Sequence, residues 1–168
     1  MLENIFDNCR LVEIARSGSA VYLGFEKHSN MENCETFEDI EMWDYEMFIE
    51  SSVRISGNNR VLLAGGGIFS VLDSCAQIGE DDEDVWDIYG NNEFDVKLEE
   101  DISKILPLKV LKATFYEIGD IEIELENGIY VNVFSNINVP FGMENWIVND
   151  NICNKQYIFE NHELTQEG

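Results

Sequence analysis

Carboxylates are the side chains through which this sequence could do chemistry. The densest run of them is GEDDEDVWDIYGNNEFD, Gly79 to Asp95, which holds eight carboxylates and no Lys or Arg. Such a run could ligate a metal ion, imitate nucleic acid, dock on a basic partner or serve only to hydrate the chain. The residue types around it narrow these uses.

The metal hypothesis fails on spacing. A calcium loop needs acids at alternating positions, a glycine at its sharp bend and a distal glutamate. The segment DDEDVWDIYGNNE has all three kinds of residue, but Val85 and Trp86 interrupt the ligand positions. Two histidines and four cysteines without a CxxC pair do not indicate structural zinc. We expect no dedicated metal site, although a weak divalent-cation site stays open.

Catalytic and cofactor motifs are missing from the sequence. Neither His28 nor His162 lies in a nucleophile motif. The glycines Gly65 to Gly67 have neither the Lys-Ser/Thr of a P-loop nor the GxGxxG order, which favours a turn or bulge after a strand. Among 34 acids, no two can be singled out as a catalytic pair. The sequence therefore predicts no catalytic residues, no cofactor and no enzyme activity.

Composition and charge restrict the partners. The chain has 168 residues, 45% of them hydrophobic, which suits one globular domain over residues 1–168. Its 10 Lys and Arg against 34 Asp and Glu give a net charge of −24, which disfavours direct contact with nucleic acid or an anionic membrane. An acidic N-terminus and the lack of a long apolar run predict a cytoplasmic protein with reduced thiols.

The pattern of apolar residues predicts mainly β-hairpins. Ser17-Gly18-Ser19 separates two apolar runs, and Gly57-Asn58-Asn59 is the centre of a second hairpin-like pattern. Segment 37–50 fits either a strand or a helix, and the strand is favoured because a hairpin pattern follows it. In the tail, ENWIVND and KQYIFENHEL predict further short strands.

One helix and a meander complete the predicted elements. A helix is predicted near 92–106, with Asn92 as its cap and Pro107 after its end; its apolar face comprises Phe94, Leu98, Ile102 and Ile105. A three-stranded meander follows, with Asn127-Gly128 in a tight turn. Its middle strand places Ile121, Ile123 and Leu125 on one face and Glu122, Glu124 and Glu126 on the other. The fold class is α+β, an antiparallel sheet built from two hairpin-centred halves with one main helix.

The distribution of charge indicates a binding surface. Three windows, 28–53, 61–96 and 113–154, contain no Lys or Arg and carry eight, nine and seven acids. A net charge of −24 exceeds the roughly 2–8 that keeps a small domain soluble. A surface that meets a basic partner explains the excess better than solubility alone. Trp86, inside the acidic run, could anchor such an interface or belong to the core.

Four short blocks carry a resemblance: CRLVEIARSGSAVYLGFE, FDVKLEEDI, ENGIYVNVFSN and ENWIVND. Together they make the chain resemble small bacterial proteins found among the immunity proteins of polymorphic toxin systems. The resemblance implies a non-catalytic protein that binds a cognate toxin and blocks it.

The sequence thus predicts an acidic inhibitor of a basic, nuclease-type toxin. The residues expected to bind this partner are Glu80, Asp81, Asp82, Glu83, Asp84, Trp86, Asp87, Glu122, Glu124 and Glu126. The alternatives are a DNA mimic that blocks a nucleic-acid-binding defence protein, and a housekeeping binding module. The sequence leaves the oligomeric state open.

Overall fold

The computed structural model describes residues 2, 4–27, 42–74, 85–136 and 144–168. Within these residues the chain forms eleven antiparallel strands. Their bounds are β1 Cys9–Ser17, β2 Ala20–Lys27, β3 Tyr45–Ile49, β4 Ser52–Gly57, β5 Arg60–Ala64, β6 Leu108–Phe115, β7 Ile121–Leu125, β8 Ile129–Phe134, β9 Glu144–Asp150, β10 Lys155–Glu160 and β11 Glu163–Glu167.

Helical segments are short. Helix α1 spans Glu93–Lys97 and continues as a π-helical segment, Leu98–Ile102. Single 3₁₀ turns cover Gly65–Phe69, Val85–Asp87 and Glu126–Gly128. The three glycines therefore form a 3₁₀ turn directly after β5, where the sequence predicted a turn or bulge.

The strands form one sheet with the order β11-β10-β9-β3-β2-β1-β6-β7-β8-β4-β5. We call β11 to β1 in this order the first half-sheet and β6 to β5 the second half-sheet. They join where β1 pairs with β6, through the residue pairs Arg10–Lys109 and Leu11–Leu108. The described residues are mainly antiparallel sheet with one short helix, which is consistent with the predicted α+β class, and the sheet is larger than separate hairpins would suggest.

Aromatic side chains of the two half-sheets contact each other in a shared core. Phe115 at the end of β6 lies 5.8 Å from the ring of Trp146, which in turn stacks on Phe159 at 5.5 Å. Phe6 stacks on Phe25 at 4.2 Å and contacts Phe115 at 6.1 Å. These rings belong to a single buried cluster that includes residues from both half-sheets.

Buried polar groups fasten the corner where the chain passes from β3 to β4. The backbone N–H groups of Glu50 and Ser51 both donate to the carbonyl of Asn145, at 3.1 Å each. The buried side chain of Asn145 accepts a further bond of 2.6 Å from the N–H of Asn136. One buried asparagine in β9 thus bonds to the backbone that follows β3 and to the backbone that follows β8, and so links the two half-sheets.

The predicted hairpins are confirmed, and their turn residues explain why. Gly18, Asn58, Asn59, Asn127 and Gly128 all have positive φ, which Gly and Asn adopt most readily in two-residue turns. Residues 45–49 of the ambiguous segment 37–50 form a strand with Tyr45, Met47 and Ile49 buried; residues 37–41 lie outside the described residues. The prediction of one last strand over KQYIFENHEL is wrong beyond Glu160, because Asn161 and His162 have positive φ and form a turn. The strand after this turn, β11, was not predicted as a separate strand, since ELTQE lacks apolar alternation.

The helix prediction is partly wrong at its C-terminal end. Asn92 does cap α1, accepting a hydrogen bond of 2.9 Å from the N–H of Asp95. Phe94, Leu98 and Ile102 are buried, but Ile105 is 38% exposed. The cause is the π winding, in which the N–H of Ser103 bonds to the carbonyl of Leu98, so that the helix ends at Ile102 and not near residue 106.

Candidate functional site

An apolar row crosses the outer face of the first half-sheet. Tyr22 in β2 lies opposite Phe48 in β3, which lies opposite Ile147 in β9, which lies opposite Ile158 in β10. We call these four residues the apolar row. All four are half-buried, and the described helical segments pack against β4 and β5 instead of this face. The row is therefore a strip of apolar side chains that solvent reaches.

Carboxylates frame the apolar row on both sides. On one side, Glu13 in β1 and Glu46 in β3 each lie opposite Gly24 in β2. On the other side, Glu160 in β10 lies opposite both Glu144 in β9 and Glu163 in β11. None of the described residues in these cross-strand rows is a Lys or an Arg. We call these five glutamates the acidic frame.

Trp43 extends the apolar surface at the frame. Its indole ring lies on Gly24 and leaves no room for a Cβ atom there, and its Nε1–H donates to Glu13. The hydroxyl of Tyr22 donates to Glu46 at 3.1 Å. Burial and the neighbouring Glu46 raise the pKa of Tyr22, so the phenol stays protonated and remains a donor. Both aromatic side chains are thus oriented by carboxylates of the frame.

Trp86 and Asp87 are two of the predicted partner-binding residues. They lie near the C-terminal end of β1, where Asp87 contacts Arg16. The ring of Trp86 is 5.0 Å from that of Phe69, and the side chain is half-buried. Asp87 pairs with Arg16 at 2.8 Å while keeping 51% of its side chain exposed. The residues Glu80 to Asp84 lie outside the described residues.

Arg16 uses every N–H of its guanidinium group to hold residues 87–95 against the end of β1. Nε and Nη2 bond to the two carboxylate oxygens of Asp95 at 2.8 and 2.9 Å. Nη1 bonds to the Asp87 carboxylate and the Gly18 carbonyl, and Nη2 also bonds to the Asp87 carbonyl. An arginine has five N–H donors, and here all five have acceptors. Arg16 is therefore a structural residue and is not free to meet a ligand.

Asp95 is the buried half of this pair. Burial by itself acts to raise its pKa, but the bonds from Arg16, the Gly90 N–H and Asn92 outweigh it and hold the pKa of Asp95 below the usual range. The bond to Asp95 likewise raises the pKa of Arg16. The pair stays ionised and locks residues 87–95 to the end of β1.

The glutamates of β7 lie on the second half-sheet. Ile121, Ile123 and Leu125 are buried, and Glu122 and Glu124 are on the opposite face, which confirms the predicted alternation for these residues. Glu126 was predicted to continue the row, but it lies after the strand, in the 3₁₀ turn Glu126–Gly128. That face has mixed charge, because Glu124 lies opposite Lys112. Glu126 accepts a hydrogen bond of 3.0 Å from the backbone N–H of Lys109. No hydrogen bond or ion pair between described residues joins this row to Trp86 or Asp87.

Other sites considered from the sequence can be placed. Within the described residues, no group of three His, Cys, Asp or Glu side chains could hold a metal ion, and no helix is long and apolar enough to cross a membrane. Cys9 is buried, and this burial raises its pKa to about 12, which leaves the thiol protonated and unreactive. Cys153 is an exposed free thiol, and Cys34 and Cys75 lie outside the described residues.

The apolar row was missed in the sequence, although a signal for it exists. In MFI, WIV and YIF, apolar residues occupy consecutive positions of β3, β9 and β10. Consecutive apolar residues place apolar side chains on both faces of a strand, whereas a strand with one solvated face alternates. Three such strands side by side indicate an outer face that needs a partner or a cover.

Comparison of the chain with protein-family models, with characterised proteins and with solved structures gave no match.

Proposed function

We propose that the protein is a non-catalytic inhibitor of the immunity type, which binds one basic protein in the cytoplasm and blocks it. The proposed partner is a toxin of the nuclease type. The observation that carries the proposal is the apolar row inside its acidic frame on the outer face of the first half-sheet.

The apolar row suits the centre of a protein interface. A stable interface combines a desolvated core, rich in aromatic residues, with a polar rim. Tyr22 and Phe48, with ring centroids 5.1 Å apart, supply the aromatic part, and Ile147 and Ile158 extend it over two more strands. Complete burial of one such side chain contributes roughly 1.5–3 kcal/mol. The row can therefore supply affinity that the carboxylates alone would not.

The acidic frame selects the chemistry of the partner. Glutamates directly opposite one another on neighbouring strands destabilise a sheet, by roughly 0.2–1 kcal/mol per pair. Glu144, Glu160 and Glu163 form two such pairs across three strands. Lys or Arg side chains of a partner would relieve this repulsion on binding, so the frame favours a basic surface.

The net charge points to a partner that normally binds polyanions. A nuclease must attract the phosphate backbone and therefore has a basic cleft. A protein with a charge of −24 associates with such a cleft rapidly through electrostatic steering. A DNA mimic needs carboxylates spaced like phosphates along its surface, whereas here the centre of the face is apolar. This supports a specific protein contact.

A capture experiment with charge-reversed variants tests the proposal. Tagged wild-type protein is incubated with lysate of the source organism at about 0.05 M and about 0.15 M NaCl, where the screening lengths differ. A captured protein is identified, purified and titrated against Glu46→Lys/Glu160→Lys, which alters the acidic frame. Glu122→Lys/Glu124→Lys on the second half-sheet is the matched control, and Glu80→Lys/Asp82→Lys tests the acidic run.

The proposal expects one basic protein at both salt concentrations, inhibition of its nuclease activity, and loss of binding only in the frame variant. Loss only in the variant of the acidic run would move the interface to residues 80–84. Capture of every basic protein alike, or of none, would contradict the proposal.

A further inference from the structure

A cleft of about 670 Å³ opens on the outer face of the second half-sheet, between β8, β4 and the turn from β4 to β5. We call it the cation cleft, because Arg54 and Arg60 both line it. Its other polar walls include Asn58, Asn59, Tyr130 and Asn132. No Asp or Glu is among the described residues that line it, although the chain has more than three acids for each base.

The two arginines are available to a ligand. Both ion pairs between described residues belong to Arg16, so neither Arg54 nor Arg60 has a described carboxylate within salt-bridge distance. Both are exposed. Arg54 lies over the ring of Phe134, with its guanidinium carbon 5.6 Å from the ring centroid, which restrains its position without using its N–H donors.

The turn beside Arg60 adds neutral hydrogen-bonding groups. Asn58 and Asn59 have φ of 52° and 60°, the conformation of a tight hairpin turn. Both residues line the cleft and are exposed. Asn132, on β8, lies opposite Arg54 and places a third amide in the same cleft. Amides can donate to an anion and can also accept from hydroxyl groups of the same ligand.

We propose that the cation cleft binds a small organic anion that carries a phosphate or carboxylate group. The guanidinium groups of Arg54 and Arg60 hold the charged group, since their planar donor forks match both kinds of oxyanion. The ring of Tyr130 and the amides of the turn contact the rest of the molecule. This site is separate from the acidic frame, and its occupant is opposite in charge to the proposed protein partner.

The overall negative charge does not prevent this binding. At an ionic strength of about 0.15 M the screening length is about 8 Å, so remote carboxylates act weakly on the cleft. Glu122 and Glu124 lie one strand away from the cleft, opposite Asn132 and Tyr130, and Glu124 also lies opposite Lys112. Neighbouring strands are about 5 Å apart, which is inside the screening length, so these two carboxylates oppose the binding of an anion and the direct contacts with two guanidinium groups must outweigh them.

An NMR titration of ¹⁵N-labelled protein tests the site at about 0.15 M NaCl. The probes are phenyl phosphate, benzoate and, as a neutral control, benzyl alcohol. The variants are Arg54→Gln and Arg60→Gln, with Lys104→Gln as the matched control, because Lys104 is exposed and lies outside the cleft. Spectra of the variants without probe show whether each is folded. If one of the two arginine variants does not fold, the other still tests the site.

Saturable chemical-shift changes at Asn58, Asn59 and Asn132 with an anionic probe support the proposal. The anion that binds with the lower Kd, phenyl phosphate or benzoate, indicates whether the site prefers a phosphate or a carboxylate group. Each arginine variant should weaken binding roughly 10- to 100-fold, the value of hydrogen bonds to charged groups, and Lys104→Gln by less than about twofold. Absence of saturable shifts with both anions would overturn the proposal. So would equal binding of benzyl alcohol, or equal weakening by Lys104→Gln.

Discussion

The indole ring of Trp43 packs directly on Gly24, so that this position of β2 has no space for a side chain. The contact places a tryptophan beside the apolar row and lets its Nε1–H reach Glu13 on the next strand. Glycine weakens a strand unless another group covers it, and here an aromatic ring does so. The glycine is thus part of the candidate interface although it contributes no side chain.

We expect Gly24→Ala to displace Trp43. The substitution lowers the entropy of the unfolded chain, which by itself stabilises by about 0.4–1 kcal/mol. Displacing the indole and its bond to Glu13 costs more, so the free energy of unfolding should fall by about 1–2 kcal/mol. The indole N–H resonance of Trp43 and urea denaturation report the change. Gly66→Ala is the control, because a Cβ there meets nothing within 4 Å; an unmoved Trp43 resonance in Gly24→Ala would refute the packing.

Removal of the Asp95 carboxylate should destabilise the fold far more than removal of Asp87. Asp95 has a 0% exposed side chain and Arg16 a 6% exposed one. Asp95→Asn removes the buried carboxylate that binds Nε and Nη2 and leaves the guanidinium with only the half-exposed Asp87 as an ionised partner, at a cost of about 3 kcal/mol. The side chain of Asp87 is 51% exposed, and Asp87→Asn should cost less than about 1 kcal/mol. Chemical denaturation of the two variants, which have equal net charge, measures the difference. Similar losses in both would mean that the network is not centred on Asp95.

The stability gap between these two variants should depend on pH. The pKa of folded Asp95 lies below its unfolded value of about 3.9, so its ionised form adds stability above that pH. This contribution is lost as pH falls through the folded pKa. Asp87→Asn should therefore exceed Asp95→Asn in stability by a constant amount above about pH 5, with the gap shrinking below about pH 4. Urea titrations across this range measure it, and a gap that persists unchanged to about pH 3 would contradict the assignment.

Glu160→Gln should stabilise the free protein while it weakens the proposed complex. Glu160 lies between Glu144 and Glu163 on the neighbouring strands, so neutralising it removes two repulsive pairs and should add about 0.5 kcal/mol. The same change removes a carboxylate that the basic partner would contact. Glu122→Gln is the control, because its cross-strand neighbours Thr114 and Asn132 are neutral. Thermal melting at low salt gives the first effect and partner titration the second; a lower melting temperature for Glu160→Gln would count against cross-strand repulsion.

Some local structure could be predicted because the responsible residues are neighbours in the sequence. The turns at Gly18, at Asn58 and Asn59, and at Asn127 and Gly128 lie where their residue types indicated. Asn92 caps α1 through a contact that spans three residues. The end of that helix was not predictable, because residues Leu98–Ile102 form a π-helical segment and no residue pattern in the sequence indicates one.

The candidate site was less predictable than the fold. The sequence drew attention to the density of carboxylates, and so to residues 80–87 and the glutamates of β7. The structure shows that Asp87 is paired with Arg16 and that Glu124 lies opposite a lysine. Charge density along the chain is a poor guide to charge on a surface, because neighbours in a sheet come from distant segments.

The sequence by itself determined most of the strands (but not β11), where the hairpins turn, which face of β7 is buried and that the protein is strongly anionic. Each of these follows from short-range residue patterns and from composition. Only the tertiary structure decided that β3 lies between β2 and β9 and that β4 pairs with β8. The alternation of apolar and polar residues along a strand predicts which face is buried, but it does not predict which strand pairs with it. The apolar row depends on that choice, since Tyr22 and Ile158 share a surface only because β3, near the N-terminus, pairs with β9, near the C-terminus.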